Sequence, residues 1–311
     1  MRRLTALIDR QLDPREGPET LAVVRITTAM ALLLTVGGVV ARGADVYWRT
    51  PEHGGYRPDL KIPWLFDLLG LEPSAAIPGT IAVALAAGVF VLVGAGGRAS
   101  AFVALQSYMA LKTVNNHVGG SYEHLLTNAL WLLVLAPATA TWSVDCWFRL
   151  RRWASDTPVP VWCRRLFLLQ LAVVYGSTGL SKVGTNWTPL GGFNALYWTL
   201  ADTNWIRFEV PGLGWLSPLL MVATAVTWLF ETGWILVPLW LLLRDPARTG
   251  TWARRARRLD PRPFLTAFGL ALHLGIWVLM DVATFSWVVL AYYPSLWRPR
   301  ELLGALARLR R

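Results

Sequence analysis

Apolar runs about twenty residues long recur along this chain, and that recurrence limits its fold more than any other feature. A helix rises about 1.5 Å per residue, so some twenty apolar residues cross the ~30 Å hydrocarbon core of a bilayer. Eight segments fit, at roughly 20–41, 77–96, 99–117, 122–140, 163–182, 215–243, 263–281 and 283–297. A chain of 311 residues that is 54% hydrophobic with 18 tryptophans is not built like a soluble domain of that size. The fold class expected is all-α: a polytopic integral-membrane helical bundle of about eight transmembrane helices, forming a single domain over 1–311.

The arginines give this bundle a direction. They collect in the N-terminal tail, in the second, fourth and sixth loops, and in the C-terminal tail. The third and seventh loops have neither Arg nor Lys, the fifth has only Arg207, and the first has Arg42, Arg49, Arg57 and Lys61 balanced by five acids. Cytoplasmic loops are the ones enriched in basic residues, so both termini are placed inside. The same rule accounts for the net charge of +11 without nucleic acid. The first 20 residues are charged and lack an apolar core, so no cleaved signal peptide is expected. The two cysteines, Cys146 and Cys163, flank one arginine-rich segment and suggest neither a disulfide framework nor a metal site.

With that orientation each polar residue acquires a depth. The fifth segment runs "LFLLQLAVVYGSTGL" without a charge and then reaches Ser181 and Lys182 near the outer surface. Asn115, Asn116 and His117 end the third segment, and Glu123, His124 and Asn128 open the fourth. Glu231 and His273 lie near mid-depth in the sixth and seventh, and Asp281 ends the seventh. Ionisable groups are costly in lipid and face a bundle interior or a wet cavity. Each has a plainer reading. Lys182 is a lysine reaching for the headgroups, His117 a loop-entry histidine, His273 an interhelical hydrogen-bonder, and Glu231 the partner of Arg25, the one arginine inside the first segment. Their convergence on one level from separate helices favours a shared cavity holding Lys182, His117, Asn116 and His273.

Lysine itself is informative. Of 30 basic residues only Lys61, Lys112 and Lys182 are lysines. Arginine reaches headgroups at least as well as lysine does. A base must release its proton, which arginine cannot do in a protein. Lys182 is therefore read as a base, with Tyr175 and Trp187 around it and Ser181 or Asn186 orienting the amine.

Six short stretches occur in order: "NNH" at 115–117, "TWSVD" at 141–145, "VPVW" at 159–162, "GLSKVGTNW" at 179–187, "LALHLG" at 270–275 and "FSWVVLAYY" at 285–293. Together they resemble the transmembrane domain of vitamin K-dependent gamma-carboxylase and its bacterial relatives, the horizontally transferred transmembrane domain (HTTM) family. The resemblance spans roughly 15–300. It implies a bacterial enzyme that oxygenates a reduced vitamin K-type quinone, menaquinol being the bacterial form, to an epoxide. The strong base so formed removes a proton from a peptide glutamate, and CO2 traps the carbanion, with O2 the oxidant. By the resemblance Lys182, His117 and Asn116 are catalytic, while His273, Tyr175, Trp187 and Asn115 line the quinone site. Membrane lipid and quinone, together with a secreted peptide or protein substrate, are the partners implied, at the extracytoplasmic side of a cell membrane.

The chain also departs from that pattern. A glycine-containing stretch, "VGGSYEHLL", follows "NNH", and Ile276 stands where the family has asparagine. The large extracytoplasmic domain of the animal enzyme is not expected here. Two further readings stand beside the enzyme: a non-enzymatic membrane partner that matures a secreted peptide on the same scaffold, and a small-molecule transporter. The second predicts inverted repeats and helices broken at mid-membrane, and the sequence shows no repeat.

Overall fold

The structure is a computed structural model. It describes residues 14–49, 63–114, 120–244 and 249–309. Those residues are almost wholly helical and divide into two compact units. Unit 1 comprises residues 1–167 and 287–311, and unit 2 the continuous stretch 168–286.

Unit 1 opens with β1 (Arg15–Glu16), which pairs antiparallel with β2 (Val159–Pro160). Its helices are α1 (Glu19–Ala41), α2 (Val46–Arg49), α3 (Trp64–Leu69), α4 (Pro73–Val93), α5 (Gly97–Val114), α6 (Ser121–Leu135) and α7 (Val144–Leu150). The first turns of α8 (Val161–Ser181) also belong to it. Local signals set the ends. Gly94 stops α4 in the left-handed conformation, φ +71°, and a Cβ there would run into Ser143 and the Arg25 guanidinium. Pro137 lies just past the last residue of α6, Leu135, so the fourth expected segment ends several residues short of 140.

Arg25 lies fully inside unit 1 and is 2% exposed. Its guanidinium donates to the carbonyls of Trp142 (2.7 Å), Ala138 (2.9 Å) and Leu92 (3.5 Å). The expected Arg25–Glu231 pair is therefore not formed. Backbone oxygens left free at helix ends take the arginine's donors instead. Most of "TWSVD" is structural: Trp142 supplies one of those carbonyls, the Ser143 hydroxyl caps α7 at the Cys146 N–H, and the Asp145 carboxylate accepts from the Gly96 N–H. Arg164, read from the sequence only as a topology signal, is 6% exposed. It forms a two-pronged pair with Glu16 (2.7 and 3.0 Å) and donates to the Ser295 carbonyl (3.0 Å).

Unit 2 holds the rest of α8, then α9 (Ala195–Ala201), α10 (Ser217–Gly233), α11 (Leu236–Leu243), α12 (Thr251–Arg258) and α13 (Arg262–Leu279). The sixth expected segment is thus two helices, α10 and α11, bent by 50° at the break. Gly233 at the break gives the i→i−4 ladder a weak point. Loop 202–209 is ordered: the Ile206–Met280 bridge and the bond from Arg207 Nε to the Met280 carbonyl (3.0 Å) tie it to the end of α13. At another corner of the unit, Trp240 Nε1 donates to the Ala256 and Leu259 carbonyls, and Asp260 is gripped by Arg262 (2.7 and 2.8 Å) with Arg244 at 3.7 Å.

The chain returns to unit 1 through α14 (Phe285–Leu290), a 3-10 turn (Tyr293–Leu296) and α15 (Pro299–Leu309). Among the described residues, α1, α4 from Ser74, and α13 are each long and apolar enough to cross a membrane, and α10 with α11 make a fourth span if the bent pair is counted as one. The protein is a membrane protein on that ground. The described residues of the remaining expected segments are mostly helical, in runs that are shorter or more polar, and 283–297 is interrupted after Leu290, before the 3-10 turn at Tyr293–Leu296.

Candidate functional site

The polar cluster of unit 2 begins with two glycines. Gly176 and Gly179 lie one turn apart on α8. A Cβ at 179 would collide with the backbone nitrogen of Thr232, and one at 176 would come within 2.8 Å of Ile235 Cγ1. Small residues at this spacing let two apolar helices touch backbone to backbone. Trp228 Nε1 fastens the contact by donating to the Gly179 carbonyl (3.2 Å). This close approach of α8 and α10 brings Lys182 to Glu231.

Lys182 Nζ forms an ion pair and hydrogen bond with Glu231 Oε2, the two side chains being 17% and 9% exposed. The chain then turns through a 3-10 helix (Thr185–Trp187), which folds the Trp187 ring over Nζ at 4.1 Å. A cation over a tryptophan face and against a carboxylate is doubly stabilised. Lys182 follows directly on the C-terminus of α8, where the helix dipole also favours a cation. The neighbouring hydroxyls do not join in. Ser181 donates to the Thr178 carbonyl, and Ser177 and Thr178 donate to the Val174 carbonyl. The Ser181 proton is thus taken by its own helix backbone, and Lys182 Nζ donates to Glu231.

Two turns earlier on α8, Tyr175 stacks on Trp234 (4.9 Å, 19°) and meets Phe230 edge-on. Its hydroxyl lies 2.6 Å from His273 Nε2. Tyr175 is 4% and His273 2% exposed, so these two candidates sit within the packed core of unit 2. His273 Nδ1 has no hydrogen-bond partner among the described residues. An apolar cavity of about 400 Å³ lies between α9, α10 and α13, lined by Leu200, Val226, Phe268 and Ile276 among others. Ile276, one of the departures noted above, is part of its wall. Lys182, Tyr175 and His273 are not.

Asn115, Asn116 and His117 lie outside the described residues. Among the described residues that flank this segment in sequence, Lys112 lies in the last turn of α5 and Glu123 in the first turn of α6.

The residue that sequence reasoning misassigned is Glu231. A signal was present: it is the single acid in an apolar helix, two helices of unit 2 each bring one unmatched charge, and charges in such segments pair. Arg25 was an equally good partner on composition alone. A family model for the HTTM domain matches residues 14–247, most of the chain. No curated protein and no solved structure matches it.

Proposed function

The chain belongs to the HTTM-domain family, whose relatives include the vitamin K-dependent carboxylases, and on that premise we propose that it is a multi-pass bacterial membrane enzyme acting on a reduced quinone. In this reading Lys182 is the base that deprotonates the quinol. The quinolate then reacts with O2 toward the epoxide, and the basic intermediate serves carboxylation of a peptide glutamate with CO2. About eight segments cross the cell membrane with both termini inside, and Lys182 faces the extracytoplasmic side. His117 and Asn116 act on the carbanion side of the reaction; Asn115, Tyr175, Trp187 and His273 contribute to quinone binding.

The observation that carries the reading is the Lys182–Glu231 pair under Trp187. A lysine that served only as an anchor would extend to solvent; this one is drawn inward against a carboxylate and an aromatic face. The apolar cavity beside α10 suits a hydrocarbon chain, the part of a prenylated quinone that needs no polar partner.

The test is purified protein in lipid with a reduced naphthoquinone and oxygen, with epoxide read by chromatography. Wild type is expected to form epoxide, and Lys182→Ala and Lys182→Arg are expected not to. No epoxide from wild type, or full activity in Lys182→Arg, sinks the proposal. A wild type that forms no epoxide but is needed to mature a secreted peptide would favour the non-enzymatic partner.

A further inference from the structure

Lys182 in this structure is not a free amine. It is held against a carboxylate, and an ammonium cannot accept a proton. A base at this position needs somewhere to send the proton it already carries. Glu231 stands at that place: it is 7% exposed, its partner is Lys182, and among the described residues no second charged group acts on it. Trp187 closes over the lysine, while Gly179 and Trp228 hold the two helices together, so the two groups keep contact without long side chains spanning a gap.

On the quinol reading just given, we infer that Glu231 is the proton store behind Lys182, a positioning residue that sets the lysine's protonation state. The step balances without a redox partner. Lys182 passes one N–H proton to the Glu231 carboxylate and becomes the neutral amine. The amine takes the quinol O–H proton, the electron pair of the broken O–H bond stays on the quinol oxygen, and the site ends as ammonium, carboxylic acid and quinolate. The pair begins with no net charge and ends with one positive charge beside one negative, so the quinolate forms next to its counterion.

A methoxynaphthol tests this, because it has one ionisable hydroxyl, cannot complete the oxygenation, and changes its absorption on losing the proton. Wild type in lipid at neutral pH is expected to hold the bound probe largely as naphtholate. Glu231→Gln is expected to lower the ratio of bound naphtholate to bound naphthol by about tenfold or more, a shift equivalent to about one pKa unit. Glu231→Asp, which keeps an acid, is expected to restore most of it. Because Glu231→Gln leaves a buried lysine unpaired and can fail to fold, the wild type carries a second measurement. Its infrared difference spectrum on probe binding should gain the band of a protonated carboxylic acid and lose a carboxylate band, and both changes should be absent from Glu231→Asp only if that variant also fails to form naphtholate. A Glu231→Gln protein that holds naphtholate as well as wild type, or a wild type that forms naphtholate without the carboxylic acid band, overturns the inference while leaving the quinol reading standing. A wild type that does not bind the probe at all overturns the quinol reading, and the inference with it.

Discussion

Arg25 in unit 1 and Lys182 in unit 2 are both cations drawn into apolar helices, and they are stabilised in opposite ways. Arg25 is surrounded by carbonyl oxygens of Leu92, Ala138 and Trp142, neutral acceptors too weakly basic to take a proton. Lys182 faces a carboxylate and an indole ring. The first arrangement fixes a permanent charge and uses its planar fork to tie helix ends together. The second places an ammonium next to a group basic enough to take a proton. Burial alone therefore does not describe a cation site; the chemistry of its acceptor must be added.

Substitutions at the two positions should separate these roles most sharply. Lys182→Ala and Lys182→Arg should each lower quinol turnover by about 10²–10⁴-fold, the range of a lost general base, with insertion into the membrane unchanged. Arg25→Lys should leave turnover of the folded fraction near wild type. If Lys182→Arg turns over normally, the contrast between the two cations collapses.

Arg25→Met should cost stability rather than chemistry. Three carbonyls lose their donor, for a loss of about 3 kcal/mol, read as a lower melting temperature in detergent. A melting temperature equal to wild type would mean that the helix ends find water instead. Gly179→Ala probes the other member of the comparison. The new methyl group meets the Thr232 backbone and pushes α8 from α10, at a cost of about 2 kcal/mol and with a drop in turnover as Lys182 leaves Glu231. Unchanged stability and turnover together would show that the close glycine contact is not needed.

The smallest effect concerns a third kind of cation site, Arg262 on Asp260. Hydrogen bonds from the Arg262 side chain, with its backbone N–H and charge adding to them, hold the Asp260 carboxyl below its usual range against the opposing effect of burial. A depressed carboxyl contributes stability above its unfolded value, about 3.9, and loses it as pH falls through the lower folded value. Asp260→Asn should cost about 0.5 kcal/mol at neutral pH, and the difference from wild type should fade as the solution is acidified below the unfolded carboxyl value of about 3.9. A difference that persists in acid would assign the effect to packing.

Much of the helical layout is legible in the sequence, because a segment that is apolar over some twenty residues has few other ways to satisfy its backbone. Where the reading ran long, a single residue was responsible: Pro137 after α6, Gly94 after α4, Gly233 between α10 and α11. Those residues were visible, but hydropathy averages over them. Lys182 stands out in the sequence, where the choice of lysine over arginine is informative on its own. Its partner does not. Arg25 and Lys182 compete for Glu231 on charge alone, and the choice rests on Gly176 and Gly179, which set a helix contact of long sequence separation. The quoted motifs also differ in what they do: Ser143 and Asp145 of "TWSVD" cap and brace backbone, whereas Lys182 of "GLSKVGTNW" pairs with a buried carboxylate.

The division of the chain into units has a consequence for how it is made. Unit 2 is one continuous stretch, but unit 1 needs its last segment. The Thr20 hydroxyl donates to the Trp297 carbonyl, Thr27 to the Ala291 carbonyl, Arg164 to the Ser295 carbonyl, and the Tyr292 hydroxyl to the Leu125 carbonyl. None of these bonds exists until residues 291–297 have been synthesised. At ribosomal speeds of about 5–20 residues per second, translating the intervening unit takes on the order of ten seconds. For that interval α1 sits in the bilayer with Thr20 and Thr27 lacking their final acceptors, so the helix that is translated first is secured last.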